Sequence, residues 1–187
     1  MSKDGGEIVF DPRGAVETEP RALAARVAAL NGLRLGVLDN TKWNAGRLLR
    51  KTAAKLQKEY VFAAVNYYRK ESFSREADPV LIDTIAADND ITLTAIGDRG
   101  SCTSCCMHDG IALEAAGRPT AVIITNEFLH EAEVQRDALG MHELAPVVID
   151  HPLSTLTDRE IDGRAQQAAG QCVAVWLALP ASEIAGR

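Results

Sequence analysis

Five short runs of Val, Ile, Leu and Ala recur along the chain, each followed by turn residues and then a longer amphipathic segment. The runs are "LRLGVLDN" (33–40), "VFAAVNYYRK" (61–70), "ITLTAIG" (91–97), "PTAVIIT" (119–125) and "LAPVVID" (144–150). A strand apolar on both faces must be covered on both faces, and the covering segments lie between the strands, so the strands run parallel. Helices are predicted over 43–60, over 78–89 with Asp78 as cap and Pro79 at the first position, and over 126–140. Another leads out of a cysteine-rich segment into 108–117 and stops at Gly117, and the last spans 157–179 with Thr157 and Glu160 as a capping box. The pattern implies an α/β fold: a three-layer α/β/α sandwich on a mostly parallel five-stranded sheet, Rossmann-like or flavodoxin-like. Upstream, 1–20 reads as a surface arm and "RALAARVAALNG" (21–32) as a short Ala-rich helix ended by Asn31-Gly32. The expected organisation is an N-terminal arm and helix over 1–32 and a single α/β domain over 33–187.

At 187 residues such a domain buries a large core without staples. The net charge of −6 and the lack of a concentrated basic face argue against nucleic acid. The basic residues of "KWNAGRLLRKTAAKLQK" share a predicted helix with apolar residues and read as a solvated face. No signal pattern opens the chain and no apolar run approaches membrane-spanning length, so a cytoplasmic location away from membranes is expected. There the four cysteines are free thiols, metal ligands, redox groups or core filler rather than a disulfide framework. "DNTKWNAG" after the first strand fits neither phosphate-loop pattern, and nothing specifies a nucleotide or other cofactor.

Open parallel sheets bind ligands beyond the carboxyl ends of their strands. That edge collects Asn40, Lys42, Asn44, Lys70, three cysteines, His108, Asp109, Thr125 and His151. Strand ends always meet polar loops, but amides, cations, thiols and imidazoles converging on one rim point to an active site.

The segment "GDRGSCTSCCMHD" (97–109) carries the chemistry. Gly97 and Gly100 permit a sharp turn, with Ser101, Thr103 or Ser104 left to cap the helix. A helix N-terminus favours thiolate, so Cys102 and Cys105, a C-x-x-C pair, are the candidate reactive thiols. On a helix, His108 and Asp109 follow Cys105 at i+3 and i+4, placing an imidazole to move protons and a carboxylate to orient it. Cys106 has the spacing of a core-facing residue, and Cys172, within "QCVAVWLAL", reads as core. Three thiols and His108 do not make a convincing zinc site, since neighbouring Cys105 and Cys106 diverge by about 100° around a helix; no metal is assigned. His130 and His142 read as solvated. His151-Pro152, directly after the fifth strand, is better placed for acid–base work or substrate contact.

"GDRGSCTSCCMHDGIALEAAGRPTAVIITNEF", with "LDNTKWNAGRLL" before it and "HPLSTLTDREI" after it, resembles the UGSC family of (seleno)proteins. The family motif is selenocysteine or cysteine followed by Gly-Ser-Cys. Here Gly100, Ser101 and Cys102 remain, and Arg99 stands at the first position. The segment also distantly resembles the selenocysteine region of component B of glycine and betaine reductases. These resemblances imply thiol or selenol chemistry on a small molecule. With Arg99 in place, either Cys102 pairs with Cys105, or one thiol acts alone while Arg99 binds an anionic substrate. The leading expectation is a cofactor-free, cysteine-dependent enzyme on a small anionic molecule, a reductase or lyase. Cys102 is nucleophile or redox thiol, Cys105 its resolving partner, and His108 or His151 the proton carrier. Arg99, Lys42 and Lys70 hold negative charge, and Asn40, Asn44, Ser101, Thr103 and Thr125 are further contacts. An external thiol would serve as reductant in the redox case, and a homodimer or second family subunit is the expected assembly. The alternatives are a non-catalytic subunit of a larger (seleno)protein complex and a soft-metal or arsenic binder through Cys102, Cys105 and Cys106.

Overall fold

In a computed structural model, residues 18–178 are described. The strands are β1 (Arg34–Asp39), β2 (Ala64–Arg69), β3 (Ile91–Gly97), β4 (Thr120–Thr125) and β5 (Val147–Ile149). The helices are α1 (Ala45–Glu59), α2 (Pro79–Asp88), α3 (Gly100–Ala115), α4 (Leu129–Ala138), preceded by a 3-10 turn at Asn126–Phe128, and α5 (Asp158–Leu177). All strand pairs are parallel, in the order β2-β1-β3-β4-β5. That is the flavodoxin-like order, whose direction of winding reverses between β1 and β3. Every residue of β3 and β4 is buried, as the continuous apolar runs require.

One apolar cluster joins the sheet to α1 and α5 and includes Leu48, Leu49, Ile161, Cys172 and Trp176. On the other face, α3 and α4 build a cluster around Met107, Ile111, Val122 and Ala132, and α2 closes a smaller one around Ile82 and Ile85. The helix ends follow the local chemistry. Asp78 accepts from Val80 N (2.8 Å) ahead of Pro79, and Thr157 and Glu160 form the capping box of α5. Gly117 adopts φ +80°, while Arg118 N and Gly117 N bond to the carbonyls of Leu113 and Glu114, the Schellman ending of α3. The basic stripe of α1, expected to be solvated, turns its lysines on α5: Lys51 lies 2.9 Å from Asp158 and Lys55 2.9 Å from Asp162. Among the described residues, no helix is long and apolar enough to cross a membrane.

The expected helix over 21–32 does not form, and of the expected arm only 18–20 lies within the described residues. Alanine-rich propensity yields here to tertiary hydrogen bonds, because backbone donors that a helix would use internally reach other elements. Arg21 N donates to Gly140 O (2.7 Å), Ala24 N to Glu114 Oε2 (2.8 Å) and Val27 N to Trp176 O (3.1 Å). Arg26 adds an ion pair to Glu114 Oε1 (2.8 Å), and Thr120 N donates to the same carboxylate (2.7 Å). The segment is a strap across the helical layers, and the fully buried Glu114 side chain is its anchor. Glu114→Ala leaves Ala24 N, Thr120 N and the Arg26 guanidinium without their acceptor. Urea unfolding is expected to show a loss of about 3–5 kcal/mol, with new proteolytic cleavage in 18–32.

Candidate functional site

The sheet directs the loops after β1, β3 and β5 to one rim, at the point where the winding reverses. Asn40, directly after β1, is buried and binds the end of β3: its N–H donates to Ala95 O (3.2 Å) and its Nδ2 to Ile96 O (3.0 Å). Its Oδ1 accepts from Lys42 N (3.2 Å). Asn44 holds a positive φ of 65° at the start of α1, and its Nδ2 donates to the carbonyls of Leu153, Ser154 and Leu156 in the β5–α5 loop. The two amides expected to contact substrate are engaged by backbone and brace the loops. Between them, Lys42 projects to the rim with Nζ 3.8 Å from Asp98 Oδ1 and 4.6 Å above the Phe73 ring. Trp43 beside it is 76% exposed.

Gly97 ends β3 where a side chain has no room: an added Cβ would meet Ile124 Cδ1 at 2.5 Å and Thr103 Oγ1 at 2.7 Å. The helix then begins at Gly100, before the whole cysteine motif, with Arg99 as an extended cap residue that makes no side-chain cap bond. None of the expected caps is used. Ser101 is exposed within the first turn, and Thr103 Oγ1 bonds back to Arg99 O at 2.9 Å.

All four cysteines are free. Cys106 lies within the apolar cluster of α3 and Cys172 within that of α5, and burial pushes both thiols far up. Cys102 differs: it is 1% exposed yet belongs to none of the three apolar clusters, and it sits near enough to Cys105 to act on its charge. Cys105 is half-buried, and its thiol is pushed up rather than down. Burial is the main cause; Lys70 opposes it, and the Asp109 and Glu76 carboxylates reinforce it. For this residue, desolvation outweighs the helix N-terminus.

Lys70, Asp109 and His108 assemble on the α2 side of α3. Lys70 and Asp109 form a buried ion pair, and Asp109 Oδ1 also accepts from Ala77 N (2.7 Å), fastening the β2–α2 loop. Burial is the largest influence on Asp109 and pushes its carboxyl up, with Lys70 pulling it back. Asp109 therefore does not orient His108, whose Nδ1 lies 3.3 Å from Glu76 Oε1. A cavity of about 730 Å³ opens beside this cluster, lined by Arg69, Lys70, Glu71, Arg75, Glu76 and Asp78 among others. His151, in contrast, is on the rim. Its Nδ1 lies 3.1 Å from Thr125 Oγ1, which also bonds to Gly97 O (3.3 Å), and its N–H donates to Asn126 Oδ1 (3.1 Å). With the Thr125 proton on Gly97 O, the neutral ring carries its own proton on Nδ1 and presents Nε2 as acceptor. Among the described residues, no three His, Cys, Asp or Glu side chains are grouped to hold a metal ion.

The family profile for UGSC matches residues 8–178, nearly the whole chain and all of the rim just described. The chain belongs to the UGSC family. No curated protein sequence matches it. Among solved structures, it is similar to a flavodoxin-like domain from Synechococcus sp. at 11% identity and TM-score 0.37, covering 75% of this chain and 98% of that one. A diflavin flavoprotein A3 from Nostoc sp. is similar at 11% identity and TM-score 0.38, covering 79% and 97%.

Asp98 directly follows β3 and is not among the site residues expected from the sequence. Its carboxylate is 1% exposed, and among the described residues no side chain donates a hydrogen bond to either oxygen. Burial pushes the group up, while Lys42, His151 and Arg99 pull it back. Only its position was visible in the sequence; burial without a side-chain donor is a tertiary property.

The Lys70–Asp109 pair yields a direct test. Lys70→Met strands a buried carboxylate and is expected to cost about 3–5 kcal/mol in urea unfolding at neutral pH. Without Lys70, burial raises the Asp109 carboxyl further above its unfolded value, so the folded state binds the proton more tightly. The deficit is therefore expected to shrink as pH falls through that raised range, and the double variant Lys70→Met/Asp109→Leu to recover much of it.

Proposed function

We propose that the rim is a thiol-dependent site acting on a small anionic molecule. The observation that carries this reading is Cys102. It lies in the first turn of a helix that springs from the carboxyl end of a central strand, buried there with Cys105 one turn on. Lys42 and Arg99 supply positive charge at the same rim, and His151 Nε2 is the proton acceptor. In the chemistry we favour, the Cys102 thiolate displaces a leaving group X from carbon, forming a C–S bond as X departs with the bonding electrons. Cys105 then attacks the Cys102 sulfur as its own proton is removed; the carbon leaves with the C–S electron pair and takes a proton. Two thiols and R–X become a disulfide, R–H and HX, and an external thiol returns the disulfide to two thiols. Residues three apart on a helix have Cα atoms about 5 Å apart, within the span a disulfide bridges. The distant resemblance to component B of the glycine and betaine reductases supports the same reaction class. His108, Asp109 and Lys70 support the helix and the β2–α2 loop in this reading rather than touching the substrate. Cys106, held in the core, stands apart from any three-thiol metal or arsenic site.

Iodoacetate and iodoacetamide test the reading, since they differ in charge and share the same displaceable iodide. Peptide mapping after brief treatment is expected to find the label on Cys102 and Cys105 and none on Cys106 or Cys172. At Cys102, iodoacetate is expected to react faster than iodoacetamide, and Lys42→Ala with Arg99→Ala to remove that preference about tenfold. In Cys105→Ser, a mixed adduct on Cys102 is expected to persist under conditions where the wild type releases it. Labelling confined to Cys105, with no preference for the anion, overturns the proposal.

A further inference from the structure

The proposed reaction ends in a disulfide that an external thiol must reduce, and its two sulfurs are not equally open to attack. Cys102 is 1% exposed, whereas Cys105 is half-buried. A thiolate attacks one disulfide sulfur from the side away from the other, along the S–S axis. On α3, Cys102 lies one turn before Cys105, and His108 and Asp109 lie one turn beyond it on the same face. In-line attack on Cys105 therefore comes from the side of His108 and Asp109. Both residues are joined to the wall of the cavity of about 730 Å³: Asp109 pairs with Lys70, and His108 Nδ1 lies 3.3 Å from Glu76 Oε1. The leaving group favours the same sulfur. Burial pushes the Cys105 thiol up and makes it a poor leaving thiolate, so attack at Cys102 that expels it is the harder route.

The cavity has the size of a small-molecule site, which spans roughly 300–1,000 Å³. Three of the charges that line it are answered within the protein. Lys70 pairs with Asp109, Glu76 stands against His108, and Asp78 accepts from Val80 N at the start of α2. Arg69, Arg75 and Glu71 are exposed on the same wall and enter no ion pair among the described residues. Two guanidiniums and one carboxylate complement a molecule with two carboxylates and one ammonium group. We infer that this cavity holds the external thiol, a small anionic peptide thiol that attacks the Cys105 sulfur of the Cys102–Cys105 disulfide. Its thiolate forms a mixed disulfide with Cys105 as Cys102 departs with the S–S electron pair and takes a proton. A second molecule attacks the outer sulfur, releases the symmetrical disulfide and leaves Cys105 as thiol. Substrate thus enters at the rim and reductant on the α2 side of α3. This assignment rests on the proposed thiol pair and names its co-reactant and the atom attacked.

Full-length protein oxidised with diamide and then treated with glutathione, cysteamine or 2-mercaptoethanol distinguishes the cases. Loss of the disulfide is followed by mass spectrometry after alkylation, and rates are compared per thiolate. Glutathione is expected to react about tenfold faster than 2-mercaptoethanol, and the cationic cysteamine slowest. Quenched intermediates are expected to carry glutathione on Cys105. Arg69→Glu with Arg75→Glu is expected to reverse the order of glutathione and cysteamine and to leave 2-mercaptoethanol within about twofold, which a merely structural change would not do. Glutathione mapped to Cys102, or rates that follow thiolate concentration alone, overturns the assignment and leaves the thiol pair standing. A glutathione preference that survives the double arginine variant also overturns it. Failure of diamide to join Cys102 to Cys105 removes the thiol pair and this assignment with it.

Discussion

The hydrogen bonds from Asn40 to the end of β3 hold the architecture of the rim. At the point where a doubly wound sheet reverses its winding, the loops from neighbouring strands diverge to opposite faces and leave a crevice. A crevice is useful only if its walls are fixed, and the backbone at a strand end has lost its ladder partners. Asn40 continues the ladder beyond the strand: its N–H and Nδ2 reach Ala95 O and Ile96 O, and its Oδ1 returns to Lys42 N. Asn44 does the same for the opposite wall, tying the start of α1 to three carbonyls after β5. The backbone positions from which Lys42, Asp98 and His151 approach one another follow from these two amides.

Two buried carboxylates on either side of α3 show what such a frame can be used for. Asp109 meets Lys70 and a backbone N–H, and its charge is answered inside the protein; its effect is to fix the β2–α2 loop. Asp98 is equally buried, but among the described residues no side chain donates to it, and the Lys42 cation stands 3.8 Å away. Folding tolerates one such group when the remaining core is sound, and here β3, β4 and three apolar clusters supply that margin.

The strand pattern made the fold legible, because runs apolar on both faces admit few arrangements other than a covered parallel sheet. The caps at Asp78 and Thr157 and the stop at Gly117 were legible for the same reason: each depends on neighbours within a few residues. Legibility failed where partners are distant in sequence. The strap over 21–32 has the composition of a helix, and only Glu114, some 90 positions on, makes it extended. Asn40 and Asn44 looked like ligand contacts because a sequence shows the amide but not the carbonyl it meets. Cys105 looked like a low-pKa thiol because helix position is local, whereas the desolvation that opposes it is set by loops from elsewhere.

Arg99 joins these observations. The family motif places selenocysteine or cysteine there, three residues before Cys102, and Cys105 stands three residues after it. In the proposed reading the thiol pair keeps its helical spacing and moves one turn deeper, from the cap of α3 into its body. The move has a cost visible in the structure, since the second thiol now lies where burial and two carboxylates disfavour its anion. It also frees the cap position for an exposed cation at the mouth of the rim, beside the buried Asp98. A selenol at the cap would need no help to ionise and would leave Asp98 without that neighbouring charge. With arginine there, the proposed reading shifts reactivity from the attacking atom to the binding of a charged substrate next to it. Arg99 is then the residue that turns a motif built around an intrinsically reactive atom into one that depends on holding an anion in place.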